Sequence, residues 1–179
     1  ENQLDRITFV NDYILKSNND FLKALNVLQK NTKEEMVIQK IQLAKATIYI
    51  EEASKEIHPD YNTKAIIILD SILSISNRSN AYKLAQQKKQ EILTKSLSIQ
   101  LQKYTYNKEI ARAFIRYKNV DNLKISFYKI NQKTVSDFEK QPVNKDSLST
   151  EITNKGKAVQ FIQQSLINKK DYFEYTTEM

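Results

Sequence analysis

At 179 residues, with 40% hydrophobic and 27% charged side chains, the chain has the composition of a folded protein, long enough for one domain or two small ones. Its net charge of +7 and pI near 9.3 admit an acidic partner, whether nucleic acid, lipid headgroup or protein, without selecting one. The absence of cysteine excludes disulfides, thiolate zinc sites and thiol nucleophiles, and a single glycine excludes a glycine-rich phosphate loop.

With so little glycine, turns that need a positive φ fall to asparagine, and "SNND", "SNRSN" and "KNVDN" punctuate the chain accordingly. The most apolar stretch, "KAIIILDSILSI", is too short for a membrane span and contains Asp70. No signal peptide is read, and the opening Glu1 fits a processed or truncated start, so export stays open.

From Leu4 to about Lys95 apolar residues recur three and four apart, as in Ile7, Val10 and Ile14, and then Phe21, Leu22, Leu25 and Leu28. That spacing makes one stripe along each of a series of helices. Asn19 or Asp20 is placed to cap "FLKALNVLQK", and Thr32 with Glu35 reads as a capping box for a helix over roughly 33–57, its buried side marked by Val37, Ile38, Ile41, Ala44, Ile48 and Ala53. Pro59 forces a break near His58, since it is tolerated only in a first turn. A fourth helix is predicted over about 60–75 and a fifth over 81–95, the last pair loosely similar to a tetratricopeptide-type hairpin.

Beyond Lys95 the period changes from 3.6 to 2. "SLSIQLQKYTY" alternates Leu97, Ile99 and Leu101 against Ser98, Gln100 and Gln102. "EIARAFIRYK" sets Ala111, Ala113, Ile115 and Tyr117 against Arg112, Phe114, Arg116 and Lys118, and "NLKISFYKI" sets Leu123, Ile125 and Phe127 against Lys124, Ser126 and Tyr128. These last two runs read as a β-hairpin turning at "KNVDN", within a meander or sandwich. Residues 131–157 are apolar-poor and read as a long loop; 158–168 fits either a helix or a strand; "KKDYFEYTTEM" reads as a strand. The fold class is therefore α+β: a helical domain over 1–95, as a bundle or as tetratricopeptide-like hairpins, followed by a partial antiparallel β-sandwich over 96–179.

Candidate chemistry is sparse. His58 is the only histidine and has no nucleophile or second imidazole beside it, so neither a triad nor a multi-histidine metal site can be built. The pairs Glu34–Glu35 and Glu51–Glu52 are adjacent on helices, about 100° apart, and read as solvated faces rather than an acid and a base. The remaining signal is basic: Arg112, Arg116, Lys118 and Lys124, interleaved with tyrosines, could hold phosphates while the rings stack bases. Parity gives the same residues a plainer role, as the solvated or edge-protecting face of a strand.

The order of features adds a resemblance. A helical segment ending in "AYKLAQQKKQEILTKS" runs straight into "LSIQLQKYTYNKEIARAFIRYKNVDNLKISFYKI", and after a spacer comes "VQFIQQSLINKKDYFEYTTEM". Over roughly Ala81 to Met179 this resembles the N-terminal part of the large alpha-2-macroglobulin-like proteins of Bacteroidetes-type bacteria, in which a helical region precedes the first macroglobulin-type β-sandwich and its second strand carries "YKN". The resemblance implies a non-catalytic segment of an exported protein of the periplasm or outer membrane, its parent in many cases a lipoprotein, that traps or inhibits proteases or serves as envelope scaffold. It implies proteases or envelope proteins as partners, not nucleic acid, and no cofactor; the thioester of some members needs a cysteine that this chain lacks. The alternatives are a helical-repeat adaptor and, below it, a nucleic-acid-binding protein using the basic strands.

Overall fold

The computed structural model describes residues 2–75, 79–102, 110, 112–133, 136 and 145–179. Among them are six helices and five strands: α1 (Asn2–Val10), α2 (Asn18–Asn31), α3 (Glu35–Glu52), α4 (Tyr61–Leu73), α5 (Asn80–Leu93), β1 (Ser96–Leu101), β2 (Ala113–Lys118), β3 (Asn122–Lys129), α6 (Lys145–Lys155), β4 (Lys157–Ser165) and β5 (Glu174–Glu178). The α+β class is as expected. All strand pairs are antiparallel, in a three-stranded sheet ordered β1-β2-β5 and a two-stranded sheet of β3 and β4.

The chain divides into two compact units, Glu1–Asn119 with Asn168–Met179, and Val120–Ile167. The boundary expected at 95/96 thus falls inside the first unit, which holds the five helices and the three-stranded sheet.

In the first unit α1 runs into a π-helical turn (Asn11–Leu15) that ends at Lys16, whose φ is 48°. Ser17, rather than Asn19 or Asp20, then caps α2: its hydroxyl accepts from the Asp20 amide and donates to the Asp20 carboxylate. The expected capping box at Thr32 and Glu35 does not form. The Thr32 hydroxyl turns back to donate to the Leu28 carbonyl at 2.8 Å, and α3 starts at Glu35 with no side-chain cap. Helix α3 also stops at Glu52, five residues before its expected end; Ala53 is its C-cap, and 54–58 forms a tight turn closed by reciprocal backbone bonds between Ser54 and His58.

Helix α3 buries two faces rather than one stripe. Val37, Ile41 and Ile48 pack with Leu4, Phe21 and Leu25 of α1 and α2, while Ala46 joins Ala65, Leu69 and Ile72 of α4 and Ala85 and Ile92 of α5. Alanines at the second contact let the helix axes approach closely, and Leu25, Ile41, Leu69 and Ile72 are wholly buried. Helix α3 therefore carries buried residues on two sides, leaving Glu35, Lys40 and Glu51 exposed.

The β2–β3 hairpin expected at "KNVDN" is overturned. Both edges of β2 are taken, by β1 (Ile99 opposite Ile115) and by β5 (Tyr117 opposite Tyr175), so no edge is left for β3. Asn119, at φ 55°, sits where the turn was expected and directs the chain out of the sheet instead. Of the predicted hairpin core, Ala113, Ile115 and Leu123 are buried, Ile125 is half-buried and Phe127 is exposed; Ala111 lies outside the described residues.

In the second unit β3 pairs with β4 from Asn122–Ser165 to Lys129–Lys157, with a bulge at Val159 where the register passes from Phe127–Gln160 to Tyr128–Ala158. Residues 158–165 are strand, which resolves the open choice there. The expected loop over 131–157 is interrupted by α6, which ends at Lys155 just before Gly156. The Gly156 amide bonds the Ile152 carbonyl at 2.8 Å, and a Cβ on Gly156 would lie 2.6 Å from that oxygen and 2.9 Å from Tyr128 Cβ. Close approach, not a positive φ, requires glycine at this junction of α6 and β4.

Candidate interaction surface

The helical stack and the three-stranded sheet are tied together by side chains reaching for backbone carbonyls. Asn119 Nδ2 donates to Ile92 O at 2.9 Å and Thr94 O at 3.2 Å, satisfying the last carbonyls of α5, and Lys118 Nζ donates to Glu91 O at 3.2 Å. Asn62, buried at the start of α4, donates to the Asp171 carbonyl at 3.1 Å, and Lys55 reaches the Glu174 carbonyl. Tyr172 holds φ 64° and packs against the α3–α5 cluster. A bulky residue at positive φ is costly, and here the packing and the Asn62 bond hold it in place.

Around this seam lies an aromatic cluster. His58 stacks on Tyr61 (centroids 4.0 Å apart, planes 8° apart), Tyr49 meets Tyr61 edge-on, and Lys64 sits over the same ring while pairing with Asp60. The Asp60 bond holds the Lys64 ammonium above its usual range, and that pairing holds the Asp60 carboxyl below its own. His58 is thus part of a packed turn. Tyr175 lies between Lys55 and Lys169, and its hydroxyl bonds Asp171, which pushes the phenol up to about 12.

The candidate basic residues are distributed as follows. Arg112, Arg116 and Lys118 alternate with Ala113, Ile115 and Tyr117 along β2, as parity required; Arg116 pairs with Glu174 of β5 at 3.4 Å and Lys118 caps α5. Lys124 is exposed on β3, in the second unit. Lys103, Lys108, Tyr104 and Tyr106 lie outside the described residues. Glu34, Glu35 and Glu51 are exposed, in line with the reading of solvated faces, while Glu52 is half-buried. Among the described residues no cluster of three or more metal-ligating side chains occurs, and no helix is long and apolar enough to cross a membrane.

Two concavities on the first unit bring together side chains of both charges. A groove of 420 Å³ over α2, α3 and α5 is lined by Asp12, Lys40, Glu51 and Lys88, with both signs of charge, and a shallow hollow of 300 Å³ at the end of the sheet holds Arg112 and Glu178. The exposed apolar surface is more distinctive. Phe9, Tyr13, Ile14 and Leu15 stand out from α1 and its π turn, and Leu97, Ile99 and Leu101 stand out from β1, at the edge of its sheet. Alternation along β1 had predicted a buried apolar face; in the structure every residue of the strand is exposed. The signal available was the lack of any charge from Ser96 to Gln102, where an edge strand ordinarily carries lysine or another guard.

Comparison with known proteins places nothing beside this chain: no family model, no curated protein and no solved structure matches it.

Proposed function

We propose that the chain is a non-catalytic scaffold and interaction segment of an exported alpha-2-macroglobulin-like protein, acting in the bacterial envelope on protease or envelope-protein partners. The observation that carries this reading is the seam: α5 feeds directly into β1, and Asn119, Asn62 and Lys55 bind the sheet to the helices through backbone carbonyls. Such a joint transmits position between a helical region and the strands that follow it, which is what a domain at the head of a chain of β-sandwiches does. On this reading the two antiparallel sheets are parts of a macroglobulin-type sandwich. The parent gene tests it. A reading frame with an export signal and further β-sandwich domains supports the proposal, and a frame that stops just after Met179 overturns it.

A second reading, a helical-repeat adaptor, is favoured by the exposed Phe9, Tyr13, Ile14 and Leu15, since an apolar outer face on α1 is where a partner helix would stack. It predicts that partner capture is lost in Phe9→Asp and Tyr13→Asp and kept in variants of the sheet. Capture that survives both substitutions counts against it.

A further inference from the structure

Strand β1 lies at the edge of its sheet, and since no strand among the described residues pairs with its outer side, it presents backbone as well as side chains there. The Gln102 amide donates to the Arg112 carbonyl at 3.1 Å, so the even-numbered residues of β1 turn their amides and carbonyls toward β2. On the far side of β2, Ala113 exchanges two 2.9 Å bonds with Met179, which is the same alternation. Leu97, Ile99 and Leu101 therefore point their N–H and C=O groups outward along the edge. Their side chains share a face with Ala113, Ile115 and Tyr117 and remain 47%, 41% and 68% exposed.

We infer that this edge pairs with the same edge of a second copy, the two β1 strands running antiparallel about a two-fold axis at Ile99. The sequence "LSIQL" is symmetric in kind about that residue. Ile99 then faces Ile99 of the second copy, Leu97 faces Leu101, and Ser98 faces Gln100. All three outward residues fall in hydrogen-bonded pairs, so each free amide and carbonyl finds a partner, and the apolar rows meet on one face of a continuous six-stranded sheet. The interface is isologous and closes on itself.

Charge agrees with this occupant. From Ser96 to Gln102 the strand has no charge, whereas β2, β3 and β4 carry lysine or arginine and β5 carries Glu174 and Glu178. An acidic or basic partner strand would find no counter-charge here. Sliding the register by two residues in one direction brings Lys95 opposite Leu101, which disfavours that slip relative to the symmetric pairing. Three apolar side chains per copy bury less than the ~1,200 Å² of a permanent interface, so the dimer is concentration-dependent.

Sedimentation velocity on the whole chain over a concentration series tests this. The mass should rise from 21.0 kDa toward twice that value, and Ile99→Lys should hold it at the monomer while Thr176→Lys, on β5, does not. Because the chain has no cysteine, Ile99→Cys offers a second readout that does not depend on how the lysine variant folds. Mild oxidation should link two copies through the thiol of Ile99→Cys and should fail for Ser98→Cys, whose side chain faces Gln100 of the second copy rather than its own counterpart. A monomer at every concentration, a dimer indifferent to Ile99→Lys, or equal cross-linking at 98 and 99 overturns the inference.

Discussion

The Gln39 side-chain carbonyl accepts a 2.7 Å hydrogen bond from the Ser79 hydroxyl, joining the N-terminal part of α3 to the N-cap of α5, and the same hydroxyl oxygen accepts the Tyr82 amide at 3.1 Å. Gln39 is completely buried and its Nε2 has no partner among the described residues. One serine thus serves both a helix terminus and a buried amide. Ser79→Ala should cost about 1–3 kcal/mol, since it removes a cap and orphans a buried carbonyl oxygen together. Gln39→Met, which fills the same space with no polar atom to satisfy, should cost less. In the double variant the two losses should fall short of their sum, read as urea midpoints at constant slope.

Leu69, wholly buried between α4 and its neighbours, marks the second core cluster. Leu69→Ala should lower stability by roughly 2–5 kcal/mol, the lost transfer energy plus the cavity left behind. Ile67, on the opposite side of the same helix and exposed, should tolerate alanine within about 0.5 kcal/mol. Chemical denaturation of the two variants side by side separates the buried face of α4 from its wet one.

At Asn119 two effects can be told apart. Its φ of 55° disfavours most side chains, and its amide caps α5 through Ile92 O and Thr94 O. Asn119→Gly keeps the backbone and loses the caps; Asn119→Ala loses both. Thermal melts should rank the wild type above the glycine variant and the glycine variant above alanine, the last step being about 1 kcal/mol. Equal melting of the two variants would show that the left-handed turn contributes nothing.

Tyr175 gives the chain a pH dependence at the alkaline end. The hydrogen bond to Asp171 raises the phenol from its ordinary value of 10.0 to about 12. The neutral form is the one favoured by folding, so this contribution is whole below pH 10 and is lost as pH rises toward 12. Absorbance titration should show Tyr175 ionising late, brought back toward the ordinary range in Asp171→Asn. If that substitution leaves every tyrosine unmoved, the bond does not hold in solution.

The helices were legible because each stripe, from Phe21 and Leu25 to Ala81 and Ile92, follows the helical period, and the strands because Ala113, Ile115 and Tyr117 alternate with Phe114, Arg116 and Lys118. What the sequence hid was pairing. Alternation states which way a side chain points and is silent on which strand lies alongside, so β2 and β3, adjacent in sequence, were joined when β5 in fact holds the second edge of β2. Helix α6 was missed because "KDSLSTEITNK" offers only Leu148 and Ile152 as apolar residues. The stop signal was present in Gly156, directly after the last helical residue. The basic residues were read correctly for parity, but partners such as Glu174 and the Glu91 carbonyl come from distant segments, and no local pattern announces them.

Gly156 provides the sharpest test of the second unit. An alanine there meets the Ile152 carbonyl oxygen at 2.6 Å and Tyr128 Cβ at 2.9 Å, distances that backbone and Cβ atoms do not absorb by rotation. Either α6 loses its last hydrogen bond, Gly156 N to Ile152 O, or β4 shifts against β3 near the bulge at Val159. Both outcomes act on residues within 120–167 and leave the helical core of the first unit with its own packing. Hydrogen exchange should therefore show Gly156→Ala accelerating β3 and β4 amides at least tenfold, about 1.4 kcal/mol or more, with those of α3 and α4 unchanged. Uniform acceleration across both units would mean that they unfold as one.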